Sequence, residues 1–458
     1  MIFFAGQKIR MQDLTTGKEG KMIFQFAAPM LLGNVFQQLF SVVDSIVVGN
    51  FVGKEALAAV GASFPVIFVM ISMIIGIVMG TTVVIAQYFG AKDFVKVKRA
   101  IDTMYIYSLV AGAIATAIGL IFCEPLLRLL GLPENIMPQA TQYLRIYLSG
   151  IIIFFGYNGT SAVLRGLGDS KTPLYFLIIA TVVNIILDLL FVAVFKMGVA
   201  GAAYATLIAN GLAFALAIIW LNKTHKIIRI SIKGLKFDNE VFRQSIRIGL
   251  PTGIQQTLVA FGGLALMGIV NTFGTNVIAG YSVASRLDAL ATIPAMSFSQ
   301  ALSTFVGQNI GANKTERIRA GLISTVKMAG IVTIVTTVFI VFCGHLMMSL
   351  FTNDSDVIRI GDQYLTIVSI FYILFTLMFI YNGVMRGAGA TLFPMFFSLL
   401  SLWIIRLPIA YLFSEKIGPA GIFWAIPAGW LIGLILSYSY YKSGRWKNKA
   451  VVKYQDNL

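Results

Sequence analysis

The chain has 458 residues, 58% hydrophobic and 12% charged, with a formal net charge of +16. An ordinary soluble domain is about 25% charged, so a water-soluble globule is excluded, because its core cannot hide that much apolar surface. The positive charge is not a nucleic-acid footprint either, since it follows the loops between apolar runs rather than one face or tail.

Cut at charged and Gly/Pro-rich breaks, the chain gives apolar stretches at roughly 22–49, 56–88, 101–123, 140–163, 173–195, 198–221, 246–272, 276–306, 320–343, 362–384, 392–413 and 420–441. Each is near or above the ~20 residues that a helix needs to cross ~30 Å of hydrocarbon. The alternating-polarity segments of a membrane barrel are absent, so the spans are helices. The expected fold class is an all-α integral membrane protein of twelve transmembrane helices in two pseudo-symmetric six-helix bundles.

Span 1 carries Pro29, Gln37 and Asp44. An Asp in mid-span costs roughly 2.5–3.5 kcal/mol, and only Asp44, Asp188 and Asp288 lie well within spans. At ~1.5 Å rise per residue, Asp44 lies about 7 Å below the outer end of span 1, Asp188 about 10 Å below that of span 5, and Thr206 of span 6 about 12 Å down. Asn184 shares a helical face with Asp188, Gln37 lies two turns below Asp44, and Asn210 follows Thr206 by one turn. Such buried polar residues can serve merely to join helices. Two carboxylates add a cost that joining does not require, and in a low-dielectric site they raise each other's proton affinity. Oxygen donors from Asp44, Asn184, Asp188 and Thr206 also suit Na+, so this is a site for a coupling ion, H+ or Na+.

The chain matches itself at a shift of about 221 residues. Ala86-Gln87-Tyr88-Phe89-Gly90-Ala91 falls on Gly307-Gln308-Asn309-Ile310-Gly311-Ala312, Tyr143-Leu144 on Tyr364-Leu365, and Leu164-Arg165-Gly166-Leu167-Gly168 on Met385-Arg386-Gly387-Ala388-Gly389. A duplicated six-helix unit keeps one orientation, so a pseudo-twofold axis along the membrane normal is expected, with a cleft between halves that opens to each side in turn. The expected organisation is 1–221 as N-terminal bundle, 222–248 as cytoplasmic linker, 249–441 as C-terminal bundle and 442–458 as basic cytoplasmic tail.

The second half does not repeat the acids. Ile404 and Pro408 stand where Asn184 and Asp188 stand, and span 7 has Gln255 and Gln256 but no acid. In span 8, Arg286 and Asp288 are two residues apart and point to different faces. Each is expected to pair with another helix or to contact substrate. Arg286, Asp288, Gln255, Gln256 and Asn210 are the candidates for substrate or gating contacts, while Arg406 is placed to snorkel outward. Pro29 and Pro251 each remove a backbone hydrogen bond and permit a helix bend.

With the N-terminus inside, the inner loops hold most of the Lys and Arg, Arg165 and Arg386 among them as anchors, whereas the outer loops hold only Lys54, Arg128, Arg145, Lys196, Arg359 and Lys416. Both ends are therefore expected in the cytoplasm of a cell that carries the chain in its plasma (inner) membrane. No signal peptide is evident. Cys123 and Cys343 read as packing residues, and His225 and His345 as loop or helix-end residues.

The spans in two halves, the run Pro29...Asn34...Gln37...Asp44...Gly49...Gly53...Ala58-Ala59, the paired Gln-x-x-Gly-Ala segments at 87–91 and 308–312, and the paired Arg-Gly-x-Gly segments together resemble the multidrug and toxic compound extrusion (MATE) family over almost the whole chain. The resemblance implies antiport: protons or sodium ions enter as organic, often cationic, compounds leave. In one branch a helix 1 Asp and Gln, a helix 5 Asn-x-x-x-Asp pair and a helix 6 Thr carry the ion site, and those places here hold Asp44, Gln37, Asn184, Asp188 and Thr206. Another branch has an acid in helix 7 and another in helix 10, whereas this chain has Gln255 and Gln256 in helix 7 and no acid within the core of helix 10. A lipid-linked oligosaccharide flippase of the same superfold is the alternative, with Arg286 and Arg406 its only cavity cations. No nucleophile-base constellation appears, so no enzyme, cofactor or nucleic-acid partner is expected. The expected partners are small organic molecules and membrane lipid, with the chain acting as a monomer.

Overall fold

A computed structural model describes residues 12–129, 131–224, 229–230 and 234–452. His225, Lys226, Lys233 and the tail residues Lys8, Arg10 and Lys453 lie outside them. In chain order the helices are α1 (Glu19–Phe51), α2 (Lys54–Gly90), α3 (Phe94–Leu129), α4 (Met137–Ser149), α5 (Ile151–Gly166), α6 (Lys171–Asp188) running into a π-helical segment (Leu189–Val194), and α7 (Gly198–Thr224). The second half has α8 (Asn239–Asn271), α9 (Thr275–Gly311), α10 (Glu316–Ser349), α11 (Ser355–Ile370), α12 (Tyr372–Gly387), α13 (Leu392–Leu399), a π-helical segment (Leu400–Arg406), α14 (Leu407–Ile417) and α15 (Pro419–Lys442). The described residues contain 10 helices long and apolar enough to cross a membrane, or 12 if each bent pair, α4 with α5 and α11 with α12, counts as one span. Side chains such as Leu129, Phe342 and Leu350 stand well exposed on the outer surface, as a bilayer-facing protein requires.

Two boundaries differ from the sequence reading. The helix of span 7 begins at Asn239, inside the stretch read as linker. Asp238 caps it by accepting from the N–H groups of Glu240 and Val241. Burial alone would raise the Asp238 carboxyl, but the Val241 N–H, the nearby Lys96 ammonium and the Glu240 N–H outweigh it and hold the carboxyl below the usual range. The stretch after α15 is not a free tail either, since Trp446 and Val451 are buried. The helices run on through Pro29 and Pro251. Bends of 47° and 50° fall between α4 and α5 and between α11 and α12.

The halves meet along two contacts. In the first, α2 crosses α8 with Gly76 and Gly80 set against Ser245, Gly249 and Gly253, so close that a Cβ on Gly76 would fall on the Gly253 backbone. Each helix presents a G-x-x-x-G face, which lets the two backbones approach without side chains between. In the second, at the end where Leu14 and Val451 lie, the ends of α2 and α9 clasp. The Gln87 amide donates to the Gly387 carbonyl at 2.9 Å, and Gln308 donates to the Gly166 carbonyl at 3.1 Å. The other end of each amide holds a chain terminus: the Val451 N–H donates to Gln87 Oε1 at 2.7 Å and the Leu14 N–H to Gln308 Oε1 at 2.9 Å. Gly90 and Gly311 permit this approach, each lying against the carbonyl of the opposite glutamine.

Substituting Gln87 with Ala leaves the buried Gly387 carbonyl and Val451 N–H without their partner, at a cost of about 1–3 kcal/mol. Faster hydrogen exchange at the Val451 amide, with exchange in α4 unchanged, is the expected signature.

Two further helices belong to both halves. The first part of α1 (Ile23, Phe26, Met30) packs among Phe298, Leu302, Phe305 and Leu322 of the second half, while its last part (Val47, Val48) packs in the first. Reciprocally, α8 begins among first-half residues (Val241, Ile248 with Val83, Ile101) and ends in the second half (Leu266, Val270).

Candidate cation site

The site lies where α1, α6 and α7 pack together. One helical turn separates Asn184 from Asp188, so both face inward from α6, and both are fully buried. Asp44 on α1 is 8% exposed and Thr206 on α7 is 3% exposed. The Asp44 and Asp188 carboxyls face each other, with Asn184 against Asp188. Asp44 Oδ1, both Asp188 oxygens, both Asn184 amide atoms and Thr206 Oγ1 have no hydrogen-bond partner among the described residues. A folded protein rarely leaves one such atom unpaired, and here they gather on three adjoining helices. Two facing acceptors with no donor between them call for a proton or a cation.

The sequence reading missed the aromatic wall of this site. Tyr143, buried on α4, lies within electrostatic reach of both carboxyls, and Tyr147 within reach of Asp44. Tyr147 in turn stacks on Phe154 of α5 with centroids 4.8 Å apart. The signal was present, because Tyr143 and Tyr364 coincide in the internal repeat, but the 47° bend between α4 and α5 carries no hydropathy mark.

The remaining candidates separate from this set. Gln37 is exposed and does not join the buried group. The Asn210 amide donates to the Thr206 carbonyl at 2.8 Å, one turn back. Gln255 donates to Ser398 Oγ at 2.6 Å, so it ties α8 to α13, whereas Gln256 lines a cavity between the halves. Asp288 does reach across, facing the Tyr372 and Tyr364 hydroxyls and the Arg406 guanidinium. Arg286 does not: it is exposed and forms no ion pair among the described residues. Arg406 is half-buried, with its Nε enclosed. Cys123 is buried as packing, and His345 is exposed on α10.

A polytopic helical membrane protein that buries two opposed carboxylates among unpaired oxygen donors has the build of a secondary transporter. The MatE family profile matches residues 29–190 and again residues 251–412. The chain belongs to that family, the multidrug and toxic compound extrusion transporters. It is 36% identical over 437 residues to the probable multidrug resistance protein YpnP of Bacillus subtilis, covering 95% of this chain and 97% of that protein. Similarity to the probable multidrug resistance protein NorM of Thermotoga maritima is 28% over 443 residues, 94% of each chain. Among solved structures, a MOP superfamily transporter from Pyrococcus furiosus superposes with a TM-score of 0.89 at 25% identity, covering 95% of this chain and 97% of that one. An outward-facing multidrug resistance MATE family transporter gives a TM-score of 0.90 at 24% identity, over 97% and 100% of the two chains.

Proposed function

We propose that this chain is a secondary active antiporter, not an enzyme, that exports organic, mainly cationic, toxic compounds in exchange for protons or sodium ions. The observation that carries the reading is the pair of buried carboxyls, Asp44 and Asp188, facing each other with no donor between. Binding of a proton or Na+ there satisfies the pair, Asn184 and Thr206 supplying further oxygens for Na+. Because α1 and α6 contribute one acid each, ion binding draws these helices together and changes the cleft that substrate occupies. Alternating access follows if the two halves, 1–221 and 249–441, rock about their contact. The basic loops support a reading with both termini in the cytoplasm, in which the Gln87–Gln308 clasp is an inner closure and the ion site lies in the outer half of the membrane. The working unit is taken as a monomer in the plasma membrane.

The test is dye efflux from reconstituted vesicles under an imposed sodium gradient or proton gradient, one at a time. Efflux driven by one gradient supports the reading and names the ion; dye release that follows neither gradient would overturn it.

A further inference from the structure

The repeated Arg-Gly-x-Gly segments place Arg165 in the last turn of α5 and Arg386 in the last turn of α12. The sequence reading took both as loop anchors, but the structure holds them half-buried between the two halves. The glycines explain the turn: Gly168 and Gly389 adopt φ of +85° and +84°, which end the helices and turn the chain back. Each arginine also directly precedes a clasp acceptor, Gly166 or Gly387.

Neither guanidinium forms an ion pair among the described residues. The titratable neighbour of Arg165 is the Tyr157 phenol, which is no counter-ion. Arg386 donates to Ser299 Oγ at 3.0 Å, lies 5.9 Å from the Phe379 ring centroid, and meets only neutral groups. The carbonyl ends of α5 and α12 supply about half a negative charge each, which leaves both guanidiniums net positive. An unpaired charge inside a membrane protein costs several kcal/mol, and here the cost is incurred twice, at equivalent positions.

Both arginines open onto space. Arg165 lines a cavity of about 60 Å³ with Asn158, Gln300, Ser303 and Thr304. Arg386 lines an adjoining one of about 30 Å³ that shares Ile75, Met79 and Gln300 with the first. The larger is the size of roughly two waters, far below the several hundred cubic ångströms an organic ligand needs.

We propose that this paired-arginine chamber is a binding site for a small inorganic anion of the halide class. The anion neutralises the two guanidiniums while the end carrying the termini is closed. The amide of Gln300 and the hydroxyl of Ser303 complete its donor set. The site is separate from the carboxylates on α1 and α6, so it stands or falls without the cation-coupling reading.

The test is equilibrium binding of radiolabelled chloride to the full-length protein in nanodiscs. Saturable binding is expected, reduced at least tenfold in Arg165→Gln and in Arg386→Gln, retained in part in the charge-keeping Arg386→Lys, and unchanged in Arg145→Gln at an exposed ion pair. No saturable binding by the wild-type protein would overturn the proposal without reference to any variant's folding, and so would equal binding by well-folded Gln variants. Displacement of chloride by an organic carboxylate that the protein also transports would overturn the halide assignment, because a chamber of this size does not admit an organic ligand.

Discussion

Replacing Asp44 with asparagine reduces gradient-driven efflux to the level of protein-free vesicles, and the variant unfolds at a higher temperature than the parent. The first effect follows because an amide cannot take up or release a proton and is a poor ligand for a cation that a carboxylate pair would hold. The second follows from the geometry. Asp44 and Asp188 present acceptors to each other with no donor between, whereas the amide introduced by Asp44→Asn can donate to Asp188. Removing one of two opposed charges and adding a donor stabilises by about 1 kcal/mol. The sign decides between roles, because a group kept only to join helices would cost stability when changed. Asp188→Asn is expected to act in the same way. Vesicle efflux and thermal unfolding in detergent, measured on one preparation, check both halves of the prediction. Normal ion-driven efflux by either variant would remove these carboxyls from the coupling site.

Gly76→Val is expected to destabilise the protein by about 3 kcal/mol, more than substitution of any exposed glycine. A Cβ at this position lands on the backbone nitrogen and Cα of Gly253, and backbone cannot rotate aside as a side chain would. The two helices must separate, and that loosens the contact along which the halves meet. Gly263, on the same α8 but with nothing within 4 Å of an added Cβ, is the control and should tolerate alanine. A lowered unfolding midpoint for Gly76→Val beside an unchanged one for Gly263→Ala is the check.

The helix order was legible because each span is long and apolar, and the internal duplication was legible because glutamines, glycines and arginines recur at one shift. Asp44, Asn184, Asp188 and Thr206 could be picked out before any coordinates, since acids are rare inside spans and one-turn spacing fixes their face. Gln37 shows the limit of that logic: seven residues from Asp44 it shares a helical face, yet it lies where α1 has left the buried site. The paired Arg-Gly-x-Gly segments were visible but misplaced, because basic residues near span ends read as anchors whether they face water or a neighbouring bundle. Pro29 and Pro251 both stand inside continuous helices. The breaks fall at Gly150 and Phe371, where the local composition gives little sign. Contacts between halves, such as Gly76 on Gly253 or Gln87 on Gly387, join residues far apart in the chain, which periodicity within one helix cannot report.

The crossing of α1 from one half to the other has a mechanical consequence. Its far end carries Asp44 in the first half, and its near end is embedded among Phe298, Leu302 and Phe305 in the second, with the Asn34 amide donating to Ser297 Oγ at 3.0 Å between the two. Such a helix is a lever with its load and its effort in different bodies. A displacement of an ångström at the carboxyl end must be taken up either in the packing around Phe26 and Met30 or by motion of the body that holds them. The proposed ion site therefore needs no counterpart in the second half to be felt there, and chemistry confined to one half can act on both.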